Sequence, residues 1–458
     1  MQLSHALPAM SATFDEPNLV VSSGLIPAVG LAHRVGIADL ADGLVTVPGP
    51  AGANAGAKVM SLVAGMTAGA DSIDDLDVLR HGAMGRVFTG IKAPSTIGTF
   101  LRGFTFGHVR QLDAVAARTL IALTQDTDLL PGIESGCVID IDDTVKPVFG
   151  ARKQGAQFGY TRVRGLNAQL ATISTSASAP VIAATRLRRG ARNSAAGAVR
   201  MIRDSLATAK RCGATGPVLV RSDSAYCSAA IIAAISKAGA RFSTGIGMNP
   251  NVRRAIAAID DAAWTRITYP QAIPDPDTGE LVSAAEVAEI SYTAFTSKPK
   301  AQQVSARLIV RRIPELNRAK LAGQDPLFPV FRYHAIFTDN PADLITAEAQ
   351  HRGHAIIEQV IADLKNSALA HLPSGKFTAN AAWLVAAAIA FNLTRAIGVT
   401  AAGRWAKAAT ATIRATIINI PARIARSARR VRLHLPSNWL WATSWLRVWN
   451  DTMTRATA

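Results

Sequence analysis

The most chemically loaded stretch of the chain is Val138-Ile-Asp140-Ile-Asp142-Asp143-Thr144-Val145. Acids here interrupt an apolar, β-branched run. In a strand, alternation places Asp140 and Asp142 on one face. Two carboxylates side by side repel each other and resist desolvation, so they need cations, hydrogen bonds or protons. A metal site or a catalytic nucleophile meets that need; so does a solvated turn beginning at Asp142-Asp143. A second acid, Asp223, ends another apolar run, Pro217-Val-Leu-Val-Arg-Ser. A third, Glu358, lies in a helical pattern with His351, His354 and Lys365, at spacings of three, four and seven that stack all four on one face. The other side of that helix is lined by Ile356, Ile357, Val360, Ile361 and Leu364. A polar stripe on such a helix fits a polar site beside a core, and equally a solvated face with ordinary pairing.

The surrounding patterns supply the elements that must position these acids. Residues 1 to about 130 read as helices: 53–69, a short one capped by Ser72 and running to Arg80, 94–103 and 106–124. Tight glycine-containing joints between them permit a helix-turn-helix. From Gly136 the period changes to strands over 137–143, 167–175 and 181–187, then a helix over about 194–212 opened by Asn193. A strand over 217–223, a helix over 228–238 and a strand over 241–245 follow. Residues 249–330 carry short β-like runs among prolines and glycines and read as an insertion. The strand 331–337, a helix over 347–365 and an apolar helix over 379–397 complete the pattern.

Three strands, helix, strand, helix, strand, insertion, strand, helix is the order expected of an α/β, ribonuclease-H-like core. In such a core the first and fourth strands are neighbours and a late helix crosses their ends. Asp142, Asp223 and Glu358 are then expected to converge, with Asp140 as a further ligand or as an orienter. Hard oxygen donors suit two Mg²⁺ or Mn²⁺ ions, which promote in-line displacement at a phosphodiester.

Composition points the same way. The 458 residues carry a formal charge of +17, which fits a polyanionic partner, most often nucleic acid. From Arg395 onward there are eleven Lys/Arg against one acid, Asp451, with Trp405, Trp439, Trp441, Trp445 and Trp449 interleaved. The arginines suit phosphates; the tryptophans suit either base stacking or packing of a helical tail on the core. Cys137, Cys212 and Cys227 have no zinc or disulfide spacing, so each is expected to be a small apolar residue in a reducing cytoplasm. The longest apolar stretch, 381–391, is shorter than the roughly 20 residues a bilayer needs, so no membrane span is expected. The first residues carry no basic signal region.

Asp140-x-Asp142-Asp143-Thr144 on a strand, Arg221-Ser-Asp223-Ser-Ala-Tyr226 after another, and Glu358 six residues before Lys365 resemble the DDE transposases of bacterial insertion sequences. The closest group is the IS-thirteen-eighty group, which has a β-rich insertion between the second and third acids. The resemblance covers roughly 136–395. It implies metal-dependent cleavage at element ends and strand transfer, with Asp142, Asp223 and Glu358 catalytic and terminal inverted repeats and target DNA as partners. It implies a homodimer in the synaptic complex, a nucleoid-associated cytoplasmic location and no nucleotide cofactor. The expected division is a helical DNA-binding region over 1–130, a catalytic domain over 131–395 with its insertion at 249–330, and a basic, Trp-rich helical region over 396–458. His351 and His354 stand where the broader class has Tyr and Arg; with Lys365 they are candidate phosphate contacts. Trp264 is the insertion's candidate for receiving a flipped base. Arg152, Lys153, Arg162 and Arg164 are candidate DNA contacts, as are Arg307, Arg311 and Arg312.

Two rivals stand beside this reading. Asp140-x-Asp142-x-Thr144 also matches a haloacid-dehalogenase-type phosphatase, with Asp140 as nucleophile and Asp142 as general acid. The charge alone fits a non-catalytic DNA-binding protein equally well.

Overall fold

The computed structural model describes residues 11–269, 285–314, 330–428 and 430–454. The extreme N-terminus, read above for a signal region, and two stretches of the expected insertion lie outside the described residues.

A short strand β1 (Leu19–Val20) precedes six helices: α1 (Leu25–Arg34), α2 (Ile37–Leu44), α3 (Ala55–Ala68), α4 (Met84–Val87), α5 (Pro94–Arg102) and α6 (Phe106–Asp126). Thr105 and His108 form a reciprocal cap at the start of α6. The strands β2 (Cys137–Pro147), β3 (Gln157–Phe158), β4 (Arg164–Ser174) and β5 (Val181–Arg189) lead to α7 (Ala198–Arg211). Then come β6 (Val218–Ser222), α8 (Ala229–Lys237), β7 (Arg241–Gly245) and α9 (Pro250–Ala257). Next are β8 (Thr265–Ile267), β9 (Ala285–Ala294), β10 (Val304–Pro314) and β11 (Phe331–Thr338). The chain continues through α10 (Leu344–Arg352), α11 (Ile356–Lys365), α12 (Phe377–Ala401), α13 (Thr410–Ile413), β12 (Ala422–Ser427), β13 (Arg430–His434) and α14 (Ala442–Thr454).

Ten strands form one mixed sheet, ordered β3-β4-β2-β6-β7-β11-β10-β9-β8, with β5 on β4. β2 runs antiparallel to β4 and parallel to β6, and β6 runs parallel to β7. The strands of the expected insertion extend this same sheet, because β11 pairs antiparallel with β7 through Ile336–Gly245, Phe337–Thr244 and Thr338–Ser243. A three-stranded sheet, β1-β12-β13, is separate.

One apolar core runs from Val20 to Val448 and includes side chains from the N-terminal helices, the sheet and the tail. Its spine is α12, which packs on β5, α6, α3, α5, α1 and α14. Among the described residues α12 alone is long and apolar enough to cross a bilayer, but most of that surface is covered by protein. Within it, Asn392 exchanges two 2.8 Å hydrogen bonds with the backbone N–H and C=O of Ile182, on the edge strand β5 where its register against β4 shifts near Thr172.

The short helix expected to run to Arg80 is a 3₁₀ turn over Asp74–Leu79, the tail expected to be helical contains the antiparallel pair β12 and β13, and two further helices differ. The one expected from about 194 starts at Ala198, after Gly197 at φ 83°. Arg188 accounts for the delay, because its Nη1 draws in the carbonyls of Asn193, Ser194 and Ala196 at 3.1, 2.8 and 2.9 Å and holds them in turns. The helix expected over 347–365 is broken by a 3₁₀ turn at Gly353–Ala355. Arg221 Nη1 donates to the Gln350 carbonyl there, and a Cβ on Gly353 would lie 2.6 Å from that nitrogen.

The tail tryptophans turn inward. Trp405 and Trp445 are buried, and Trp439, Trp441 and Trp449 pack partly buried against the core. Trp405 Nε1 donates to Thr416 Oγ1 at 2.8 Å and Trp439 Nε1 to the Thr416 carbonyl at 3.2 Å. The base-stacking alternative for these residues is thereby corrected: their faces serve the core. Cys137, Cys212 and Cys227 are all unpaired thiols.

Candidate active site at the ends of two parallel strands

The Asp140–Asp143 run splits its acids between the two faces of β2. Asp140, fully buried, receives Arg221 Nε and Nη2 at 2.7 Å each and faces His354 Nδ1 at 2.8 Å. The parallel register sets Arg221 directly beside Asp140, and both carboxylate oxygens are engaged. Asp140 is therefore corrected from a metal ligand to an anchor joining β2, β6 and the turn after α10. A nucleophile must be reachable, so this burial also removes the phosphatase reading. On the opposite face Asp143 pairs with Arg188, also held by Asn167 Oδ1.

Asp142 is left without a cation among the described residues. Its Oδ1 accepts only the adjacent Asp143 N–H at 2.7 Å. Burial raises its pKa to about 6, with the nearby Asp223 carboxylate adding to the rise and His354 opposing it. Asp223, just past the end of β6, caps the following turn through a 3.1 Å bond from the Ala225 N–H. Its pKa is also raised, by burial first, against the pull of that N–H and of His354. Asp142, partly buried on β2, and Asp223, exposed just past β6, lie within electrostatic reach of each other with spare oxygens, a hard-donor pair suited to a divalent cation.

Glu358 is exposed on α11 and makes no hydrogen bond or ion pair among the described residues. No three His, Cys, Asp or Glu side chains among the described residues lie together closely enough to hold a metal ion. The expected convergence of three acids is thus present as a pair, with Glu358 outside it. Still, α11 packs along β2. His354, before Glu358, and Lys365, after it, both lie within electrostatic reach of Asp142. Burial lowers the Lys365 pKa and Lys146 adds to the drop, while Asp142 opposes it.

His351 is corrected as a phosphate contact. Its Nδ1 meets Ser243 Oγ at 2.9 Å, and burial, helped by His354 and Arg221, lowers its pKa to about 4. A neutral, buried imidazole offers a phosphate no charge. As pH falls, the unfolded chain protonates this histidine first. The stability tied to its neutral form is complete above 6.5 and lost as pH falls from 6.5 to about 4. The loss amounts to about 3 kcal/mol. Urea unfolding at pH 7 and pH 4.5 should show His351→Gln losing roughly 2 kcal/mol less stability between the two than the native protein; equal losses would remove His351 from the acid response. His354 is occupied by Asp140, so it too is corrected from a phosphate contact to a holder of the anchor.

The remaining candidates divide. Arg152 and Arg162 are exposed, with no side-chain partner among the described residues. Lys153 donates to the Leu372 carbonyl. Arg164 closes its own loop on the carbonyls of Val148, Gly150 and Ala151 at 3.4, 3.0 and 3.3 Å. Arg307 is held by Glu289, Arg311 by Glu348 and Arg312 by Glu286. Glu348, almost fully buried, also takes Arg352, so the β10–α10 contact is an ionic clamp rather than a phosphate surface. Trp264 is corrected as a base receiver: the Arg312 guanidinium covers its ring at 4.2 Å and Trp264 packs on a small apolar cluster.

Tyr160 was missed. The residue is 81% exposed, and its hydroxyl pKa is raised by desolvation and then by Asp143, Asp142 and Asp223, which puts it within electrostatic reach of those acids. The aromatic–basic run Phe158-Gly-Tyr160-Thr-Arg162-Val-Arg164 was the available signal.

A family model described as transposase DDE domain group 1 matches residues 8–455. A comparison with curated proteins finds no match.

Proposed function

The chain belongs to the group 1 family of transposase DDE domains, and from that premise we propose that it cleaves DNA at the ends of an insertion sequence and joins the freed ends to target DNA by cut-and-paste transposition. The family is one of DNA-acting enzymes that generally use divalent metal ions. One observation carries the assignment to residues: of the three acids on β2, Asp140 is neutralised by Arg221 and Asp143 by Arg188, while Asp142, within electrostatic reach of Asp223, forms no ion pair among the described residues.

In this reading the catalytic core is ribonuclease-H-like, supported by the order β5-β4-β2-β6-β7 with β2, β6 and β7 parallel. Residues 249–330, with β8, β9 and β10, are its insertion, and the resemblance to the IS-thirteen-eighty group rests on that arrangement and on the motifs. Asp142 and Asp223 would hold the metal, and Glu358, which lies apart from the pair on the adjacent α11, is the candidate third ligand only if α11 moves toward them. Two Mg²⁺ or Mn²⁺ ions, when bound, stabilise the attacking and leaving oxygens of an in-line phosphodiester displacement. Arg221 fixes the strand end that carries Asp223. Lys365, Arg152 and Arg162 supply positive charge for phosphates beside the acids. The N-terminal helices of residues 1–130 recognise the ends, and a homodimer holds two ends together.

The test is incubation of the full chain with the flanking ends of its own element, followed by strand-resolved sizing of products. Cleavage at the ends should require Mg²⁺ or Mn²⁺, vanish with chelator and return when metal is restored. Cutting that persists in excess chelator would sink the metal assignment; no end-specific cutting under any metal would sink the transposase reading.

A further inference from the structure

The tail's arginines are segregated from its tryptophans. β12 and β13 form an antiparallel ribbon in which Arg423 faces His434, Ala425 faces Arg432 and Ser427 faces Arg430. Directly opposed residues share a face, so Arg423, Arg430, Arg432 and His434 occupy one side with only small residues between them. The other side carries Ala422, Ile424 and Leu433, buried or packed against the core, and beyond them, toward the ribbon's tip, the exposed pair Arg426 and Val431. The cationic side therefore faces outward, and all four of its basic residues are exposed. Its sole carboxylate contact among the described residues is Glu16, 3.6 Å from Arg423. Charges on an edge strand discourage pairing with another sheet. Here the basic groups span the full width of the ribbon, including its inner strand, which edge protection does not require.

We propose that the outward face of this ribbon is a duplex-DNA surface that grips backbone phosphates. The proposal rests on the DNA-acting reading above and names a contact surface separate from the acid pair. Duplex is favoured over single-stranded DNA because non-specific strand binding combines charge with exposed aromatic platforms. The ribbon's face has no aromatic residue, and the neighbouring indoles are spent on the core. A two-stranded ribbon also fits within the width of a major groove. Arg430 and Arg432 stand about 7 Å apart along β13, and guanidinium forks suit phosphate oxygens.

The experiment compares the native full chain with the triple variants Arg423→Gln/Arg430→Gln/Arg432→Gln and Arg423→Lys/Arg430→Lys/Arg432→Lys. Affinity for a duplex is measured over a salt series. The Gln variant should lose at least ~10-fold in affinity near 0.1 M salt, and its log–log salt slope should shrink by about 0.9 per lost phosphate contact. The Lys variant should keep the native slope, because charge is retained. Matching thermal melts show that both variants are folded. An unchanged slope in the Gln variant overturns the ribbon assignment, as does a loss seen only with single-stranded DNA or only with anionic lipid vesicles. If the slope falls as expected but no form of the protein cuts DNA, the ribbon stands and the transposase reading fails.

Discussion

Replacing Asp223 by Asn should reduce end cleavage by at least ~10³-fold, about 4 kcal/mol of transition-state stabilisation, while leaving duplex binding intact. The amide keeps the shape of the side chain and its bond from the Ala225 N–H. It removes the charge that, with Asp142, suits the pair to a divalent cation. Stability should move the other way: with Asp223 neutral, a source of the upward pressure on the Asp142 pKa disappears, and two neighbouring like charges no longer repel. At pH 7 the variant should unfold at the same or a higher urea concentration than the native protein. Lost cleavage with undiminished stability separates a catalytic role from a folding defect. Cleavage within tenfold of native, measured by product sizing under identical metal, would take Asp223 out of the site.

The second large effect belongs to Arg221. Arg221→Met removes both 2.7 Å bonds to Asp140, which is fully buried, and leaves the Gln350 carbonyl without its donor. An uncompensated buried carboxylate costs roughly 3–5 kcal/mol. Asp140→Leu combined with Arg221→Met should recover much of that loss, because an apolar pair of similar volume replaces a costly desolvated one. Cleavage should stay low in the double variant, since the tie from β6 to the turn that carries His354 and leads into α11 is gone. A urea double-mutant cycle and the cleavage assay read the two outcomes. A single-variant cost below about 1 kcal/mol would show that the pair is not buried as described.

How much of this was readable beforehand depends on where the determining contact lies. The strand through Asp140 and Asp142 was legible from alternation, and so was the order of strands and helices, because those signals are local. Asp140 and Asp142 look alike in sequence: same type, same face, two residues apart. What separates them is the Arg221 guanidinium, placed by the parallel register of β6 on β2, and pairing is not written in either strand alone. The break at Gly353 has the same origin. His351, Glu358 and Lys365 read as one continuous stripe until Arg221 takes the Gln350 carbonyl. The insertion looked separate because proline and glycine punctuation marks loops, not which edge a strand joins; three pairs between β11 and β7 decided that. In the tail, spacing left two fates for the tryptophans, and only the packing of α12 and α14 chose between them.

The position of α12 along the chain has a consequence for synthesis. The helix that touches the N-terminal helices, the sheet and the tail is made late, after every strand of the large sheet has left the ribosome. Until then the nascent helices and β5 lack their principal apolar partner, and contacts of high sequence separation must close before the core exists. The acids on β2 and β6 are thus translated long before the body that steadies their sheet is complete, so a prematurely ended product would carry the cutting residues without the scaffold that holds them.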